Sequence, residues 1–278
     1  MFDRFFILYY IIMNRTFRIF TYIFATIGLI LILGYTAVRF GFTKTEGVID
    51  IQRDYFKNQI KNTDDNVWQI GEEWQILREA IKKDAKIINR VSKEIGVKSR
   101  IIVSILIVEQ LRLFYSNREV FKQIFSPLQI LGNQSQFSWG VMGIKRNTAI
   151  DLEENLKDIQ SPWYLGKDYE HVLDFKTDDT DNERFDRLTD EKDRYYSYLY
   201  TALYIKQIEK QWKSAGFDIG DRTDILATLF NIGFEKSKPH DRPLSGGAEI
   251  IISKTTYSFG GLAKSFYDSR ELIEEFNK

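Results

Sequence analysis

The feature that most restricts the fold of this chain is an apolar run, residues 101–108, that ends in a glutamate, Glu109. The run reads IIVSILIV, and only Ser104 interrupts it. A helix with so little polar surface has to be enclosed by other elements. A carboxyl group on that helix is costly to ionise, so we expect its pKa to rise towards the range of a general acid. The sequence therefore predicts a buried helix that ends in an unusual acid.

The rest of the chain is dominated by helical periodicity. Apolar residues recur at three- and four-residue spacing over 70–95, which indicates one long amphipathic helix or two helices in line. Gly96 is suited to end this helix, and Ser99 is suited to cap the helix that carries Glu109. The same periodicity returns over two later segments, 195–212 and 224–230. These patterns predict a mainly α-helical fold.

A small β-hairpin is predicted near the carboxyl terminus. Strand-like residues 249–252 and 256–259 lie between two pairs of glycines, and a last helix follows them. In contrast, the charge-dense stretch 174–193 breaks the helical periodicity. We expect this stretch to be a solvated loop within an insertion of about residues 161–194.

Composition excludes several kinds of site. The 278 residues include 39 Lys and Arg against 39 Asp and Glu, so no net charge favours a nucleic-acid partner. The absence of cysteine excludes disulfides, thiolate metal ligands and cysteine nucleophiles. The two histidines, His171 and His240, are too few for a three-histidine metal site and are expected on the surface. We therefore expect no nucleic acid, no metal and no cofactor.

The amino-terminal region predicts attachment to a membrane. Residues 19–38 form an uncharged stretch of 20 residues, and about 1.5 Å of rise per residue gives roughly 30 Å of helix. We expect an uncleaved signal anchor rather than a removed signal peptide. Charges on both sides of the stretch leave its orientation undecided. The predicted organisation is a short segment 1–18, a transmembrane helix 19–38, a linker 39–62 and one main domain, 63–278.

Three short segments carry the strongest functional signal. The first, 96–109, reads GVKSRIIVSILIVE and ends in Glu109. The second, 140–149, reads GVMGIKRNTA, with Ser138 just before it. The third, 227–233, reads ATLFNIG. In this order they resemble the lytic transglycosylase family, whose segments are a Gly-Val-Asp-Pro turn leading to a catalytic glutamate, then Gly-Leu-Met-Gln-Ile-x-Pro-x-Thr-Ala, then Ala-Ala-Tyr-Asn-Ala-Gly.

The resemblance implies a lysozyme-like helical domain that cleaves the bond between N-acetylmuramic acid and N-acetylglucosamine in peptidoglycan. Glu109 would act first as general acid and then as base, while the substrate's N-acetyl group stabilises the cation and the muramic 6-hydroxyl closes an anhydro ring. Cleavage by water, as in goose-type lysozymes, is a close variant. The implied substrate-binding residues are Ser138, Gly140, Met142, Ile144, Phe230 and Asn231.

Four positions depart from the family pattern, and all are expected near the cleft. Gln110 stands where the family has serine, Gly143 where it has glutamine, Arg146 where it has proline and Phe230 where it has tyrosine. The missing tyrosine hydroxyl is a group that can orient a catalytic carboxyl. Four tyrosines elsewhere are candidates to replace it: Tyr198, Tyr200, Tyr204 and Tyr257.

Other interpretations of the same residues stay open. On spacing alone, the simpler interpretation of Glu109 is a helix carboxylate paired with Arg112, three residues later. Trp139 and Phe137 are more simply core residues than sugar-stacking ones. A conventional glycosidase needs a second carboxylate, and the candidates outside the three segments are Asp151, Glu153, Glu154 and Asp224.

The functional prediction is a membrane-anchored enzyme whose domain lies outside the cytoplasm and faces the cell wall, with peptidoglycan glycan strands as its partner. The first alternative, favoured by the four departures, is a catalytically inactive membrane-anchored domain that binds glycan or acts as a scaffold. The second is a membrane-anchored helical protein whose long helix, containing Trp68 and Trp74, docks a protein partner.

Overall fold

The computed structural model of this protein describes residues 20–29, 32, 66–115 and 138–277. These residues belong to two units, divided between residues 62 and 63. In the first unit, residues 20–29 are helical. Their large apolar side chains are exposed: Phe20, Tyr22, Ile23, Phe24, Ile27 and Leu29.

The transmembrane helix predicted over 19–38 stays a prediction. Only residues 20–29 and 32 of that stretch belong to the described part of the chain, and the predicted segments 1–18 and 39–62 lie outside it. Within the described residues, no helix has the length and apolar character needed to cross a membrane.

The second unit is mainly α-helical, as the sequence predicts. Its described α-helices are α1 (Glu72–Ile95), α2 (Ser99–Tyr115), α3 (Arg146–Lys157), α4 (Thr180–Thr189), α5 (Tyr195–Ser214), α6 (Thr223–Ile232) and α7 (Phe259–Asp268). Its described strands are β1 (Ser138–Trp139), β2 (Ile144–Lys145), β3 (Glu249–Ile252) and β4 (Thr255–Ser258). Short 3-10 helices occupy Val67–Gln69, Lys167–Tyr169 and Phe234–Lys236.

Helix α2 lies at the centre of this unit. Of its 17 residues, 13 are buried, and the helix packs against α1, α5, α6, α7 and β3. The one hydroxyl in its apolar run is satisfied locally, because Ser104 Oγ donates to the Arg100 carbonyl at 2.7 Å. Each fully buried aliphatic side chain contributes about 1.5–3 kcal/mol of hydrophobic free energy. The prediction that this apolar helix is enclosed is confirmed, but the predicted end is wrong, because the helix continues past Glu109 to Tyr115.

The boundary between α1 and α2 follows the predicted glycine signal. Gly96 ends α1 with φ of 76°, a left-handed conformation that glycine adopts without strain. The next helix begins at Ser99 itself, which places the predicted cap residue inside the first turn. The residues that position Glu109 are therefore predicted almost to the residue.

Arg100 fastens the carboxyl-terminal segment to α2. Its buried guanidinium donates five hydrogen bonds of 2.9–3.3 Å to backbone carbonyls between Phe266 and Phe276. It also lies over the Phe266 ring, 4.6 Å from the centroid. All five donors of a guanidinium are satisfied in this way, which offsets the cost of burying its charge.

The charged stretch 174–193 is not the solvated loop that the sequence predicts. It contains α4, and both Arg184 and Arg187 are buried. Their guanidinium groups lie 5.0 and 4.7 Å from the centroid of the Phe175 ring. Arg187 also donates to the Leu173 carbonyl at 2.9 Å. The prediction is wrong because charge normally signals exposure, whereas these arginines are buried with partners.

The predicted carboxyl-terminal hairpin is confirmed. Strands β3 and β4 pair antiparallel, with Glu249 opposite Ser258 and Ile252 opposite Thr255. The second strand starts one residue earlier than predicted. Ser253 and Lys254 form the two-residue turn with φ of 48° and 72°, as the right-handed strand twist requires.

Candidate functional site

Glu109 lies in α2 with a buried side chain. Only 2% of the residue is exposed, and Arg112 Nη2 donates to Glu109 Oε2 at 2.5 Å. The pairing that the spacing offered as the simpler interpretation is therefore present. Burial favours the protonated acid, whereas the guanidinium favours the ionised carboxylate. The two influences on this carboxyl group oppose each other.

The second motif segment reaches the Glu109 carboxyl through Gly143. A β-carbon at Gly143 would lie 2.7 Å from Glu109 Oε2 and 2.9 Å from its Cδ, closer than real β-carbons approach. Gly143 also has φ of 63°, which favours glycine. The glycine at position 143 is thus explained, because the Glu109 carboxyl group occupies the space that a side chain would need.

The segment around Gly143 forms a short hairpin that is fastened to α2. Strands β1 and β2 pair Ser138 with Lys145 and Trp139 with Ile144. Gln110 Nε2 donates to the Val141 carbonyl at 2.5 Å. Gln110 thus clamps the hairpin turn beside Glu109.

The other two departures have structural roles as well. Arg146 begins α3 and forms an ion pair with Asp181 of α4. Its hydrogen bond lowers the pKa of the Asp181 carboxyl below the usual value. Phe230 packs on Tyr204, with 5.0 Å between the ring centroids. Each departure therefore joins elements near the hairpin or α6.

The predicted substrate-binding residues of the second segment support the hairpin. Met142 and Ile144 are buried in the core. A β-carbon at Gly140 would lie 1.8 Å from the Leu188 carbonyl oxygen, so protein backbone occupies that space. Ser138 is placed in β1, opposite Lys145. These positions hold the turn that carries Gly143 against Glu109.

The predicted residues of the third segment lie at the end of α6. Phe230 is buried against Tyr204, and Asn231 Oδ1 accepts a hydrogen bond from the Ala248 N–H at 2.8 Å. Helix α6 also packs on α2. The described contacts of Phe230 and Asn231 therefore join α6 to α5 and to the loop before β3.

Of the four candidate tyrosines, Tyr204 is the one whose ring packs on Phe230 in the described contacts. Tyr198 donates to Asp84 at 2.5 Å and Tyr200 donates to Glu153 at 2.6 Å, so both hydroxyls serve other carboxylates. The buried Tyr204 hydroxyl lies near the Phe234 backbone but makes no hydrogen bond of normal geometry with any described residue. Tyr257 lies in β4, opposite Ile250.

The candidate second carboxylates differ in their surroundings. Arg184 binds Glu153 through two hydrogen bonds of 2.7 Å, and Arg222 binds Asp224 through two of 3.0 Å. Partial burial, followed by the nearby Glu154, raises the pKa of the Asp151 carboxyl. The Glu153 network was not predicted, because Arg184 and Tyr200 are distant in sequence and follow no local pattern.

The tryptophans belong to the core. Trp139 is buried with its ring edge against Phe185, 5.2 Å between centroids, as the simpler interpretation expects. Trp68 and Trp74 are buried together at 4.9 Å and pack near Phe266. A partner that docked on α1 would have to contact other side chains. Phe137 lies outside the described residues.

Within the described ranges, no group of three or more His, Cys, Asp or Glu side chains is arranged to hold a metal ion. Comparison with protein-family models, with curated proteins and with solved structures finds no match for this chain. Its function has to be argued from its own residues.

Proposed function

We propose that this protein is a membrane-anchored peptidoglycan lytic transglycosylase, with Glu109 as general acid and base. The observation that carries the proposal is the meeting of two motif segments at one carboxyl group. The glutamate that ends the first segment lies where a side chain at Gly143 of the second segment would be. Glu109 and Gly143 are 34 residues apart in the sequence, and their contact supports the proposal.

The proposed architecture is a lysozyme-like domain, residues 63–278, tethered by a transmembrane helix over 19–38 and facing the cell wall. Its support is the enclosed central helix α2, which carries the acid near its carboxyl-terminal end, and the adjacent β1–β2 hairpin. A scaffold of this kind holds a catalytic carboxyl on a rigid helix, which favours precise orientation.

The chemistry needs one carboxyl group in two protonation states. Protonated Glu109 gives its proton to the glycosidic oxygen as the bond to the muramic carbon breaks, and the substrate's N-acetyl oxygen stabilises the resulting cation. The Glu109 carboxylate then accepts the proton of the muramic 6-hydroxyl as that oxygen closes the anhydro ring. In the hydrolytic variant, water replaces the hydroxyl. Both routes require Arg112 to release Glu109 before the first step.

Purified peptidoglycan sacculi provide the test. We expect the full-length protein to release soluble muropeptides and Glu109→Gln to release none. Glu154→Gln is the matched control, because Glu154 is an exposed carboxylate on α3. Equal release by wild type and Glu109→Gln would contradict the assignment of the acid.

A second candidate is favoured by the Glu109–Arg112 pair itself. A buried carboxylate held by a guanidinium is a common structural arrangement. On this alternative, the protein is an inactive glycan-binding or scaffold domain with the same fold. It would pellet with sacculi, and neither the wild type nor any variant would release muropeptides.

A further inference from the structure

The described bond to Glu109 leaves one buried hydrogen-bond donor of the Arg112 guanidinium without a described acceptor. Its hydrogen bond to Glu109 comes from Nη2, while its Nε is buried and has no acceptor among the described residues. Arginine binds carboxylates most strongly through two parallel bonds. Arg184 shows that arrangement in the same protein, donating from Nε and Nη2 to Glu153, both at 2.7 Å.

Of the two partners, Arg112 is the one that can be exchanged. The Glu109 side chain is 3% exposed and is confined by Gly143, whereas the Arg112 side chain is 17% exposed. The Arg112 side chain is therefore the more accessible of the two to an anion from solvent, and its Nε is itself buried. An incoming carboxylate that took both Nε and Nη2 would make the two-bond geometry that Glu109 does not make with Nε.

We propose that Arg112 is a specificity-determining residue that binds a carboxylate carried by a substituent of the glycan, next to the scissile bond. The inference rests on the proposed function and names the substrate class of that site: glycans whose sugars bear acidic substituents, such as peptides with free carboxylates. Neutral aminosugar polymers lack the group that Arg112 recognises.

The exchange of partners also prepares the acid. The substrate carboxylate takes the place of Glu109 on the Arg112 guanidinium, and the Glu109 carboxylate, no longer paired with Arg112, binds one proton from the bulk solvent. One ion pair of Arg112 replaces another, and the complex gains one proton. Substrate binding and formation of the general acid are thus one event.

The cleavage experiment uses the full-length protein in detergent micelles with three oligosaccharides: peptide-bearing muramyl glycan, the same glycan with its carboxylates amidated, and a neutral N-acetylglucosamine oligomer. We expect kcat/KM for the acidic glycan to exceed that for the amidated one by about tenfold or more. Arg112→Gln should reduce this ratio to near one, and Arg112→Lys should keep part of it. Arg90→Gln, an exposed arginine paired with Glu94, is the control.

A preference for the acidic glycan that survives in Arg112→Gln would overturn the inference while leaving the transglycosylase proposal intact. So would equal losses on all three glycans, since Arg112 would then only hold Glu109 in place.

A binding experiment separates this inference from the proposed function. Glu109→Gln leaves Arg112 without its competitor, so calorimetry should show tighter binding of the acidic glycan than wild type shows, by about tenfold. The double variant Glu109→Gln with Arg112→Gln should lose this gain. If no glycan is cleaved but these affinities hold, the enzyme proposal fails and the inference stands. Unchanged affinity in Glu109→Gln overturns the inference.

Discussion

Two buried glutamate–arginine pairs lie in the same domain, and they differ in how completely the arginine is used. At Glu153, Arg184 donates twice and Tyr200 adds a third bond at 2.6 Å. At Glu109, the described bond of Arg112 comes from Nη2, and Nε has no acceptor among the described residues. The Arg184 side chain is 6% exposed, against 17% for Arg112.

The Glu153 pair is placed to hold separate elements together, whereas we propose that the Glu109 pair exchanges partners when substrate binds. The Glu153 pair joins α3, α4 and α5 through Arg184 and Tyr200, and both side chains of the pair are largely buried. The Glu109 pair lies within one helix, beside a hairpin turn built on Gly143. The described bond between Glu109 and Arg112 joins residues of one helix, whereas the described bonds of Glu153 join three.

The largest expected effect is on glycan cleavage. Glu109→Gln removes the transferable proton, so we expect the rate of muropeptide release to fall by about 10²–10⁴-fold with the protein still folded. Tyr200→Phe, which removes one bond to Glu153, should leave the rate per folded molecule within about twofold. Initial rates and circular dichroism check both variants. A larger rate loss in Tyr200→Phe would contradict the assignment of a catalytic role to the Glu109 pair and a structural role to the Glu153 pair.

The next largest effect is expected on the free energy of unfolding, from removal of the Glu153–Arg184 pair. Glu153→Ala leaves Arg184 buried without its carboxylate, so we expect the free energy of unfolding to drop by about 3–5 kcal/mol. Glu154→Ala, an exposed neighbour on α3, should change it by less than about 0.5 kcal/mol. Urea denaturation provides the measurement. A small loss in Glu153→Ala would show that its pair does not hold α3 to α4.

The variant Gly143→Ala tests the close approach of the hairpin turn to the Glu109 carboxyl group. The new β-carbon would lie 2.7 Å from Glu109 Oε2 on a backbone with φ of 63°, so we expect a loss of about 2–3 kcal/mol of stability and reduced cleavage. Gly96→Ala is the matched control, because φ is 76° there but the nearest atom, at 3.2 Å, ends the flexible Lys206 side chain. Equal losses in both variants would contradict the close approach to Glu109.

The smallest expected effect concerns a third carboxyl group, that of Glu209 in α5. Glu209 has no arginine partner among the described contacts. Burial, opposed by Lys206 and reinforced by Asp218 and Asp221, raises the pKa of Glu209 to about 7. The folded-state pKa is above the unfolded value, so the contribution to stability is present below about pH 4.5 and is lost as pH rises through 7. Glu209→Gln should flatten that decline and be more stable than wild type at pH 8 by roughly 1–2 kcal/mol. Parallel unfolding curves from pH 4 to 8 for both proteins would contradict this.

Local patterns were enough to predict the elements that position Glu109. The apolar run of α2, the left-handed Gly96 and the carboxyl-terminal hairpin all follow from periodicity and turn chemistry within a few residues. The spacing of Glu109 and Arg112 also allowed their pairing to be considered in advance.

Contacts between segments that are distant in the sequence could not be predicted from local patterns. Arg184 and Arg187 are charged, which normally signals exposure, and only their partners in other elements make burial favourable. The need for glycine at position 143 is visible only when Glu109 occupies the adjoining space. Such information lies in pairs of residues rather than in either residue alone.

The proposal that Glu109 is the general acid of a lytic transglycosylase is tested by mass spectrometry of purified sacculi. The sacculi are digested either by the wild-type protein or by Glu109→Gln. We expect muropeptides with 1,6-anhydromuramyl ends from the wild type and none from the variant. Sacculi left intact by the wild type, or digested equally by both proteins, would contradict it.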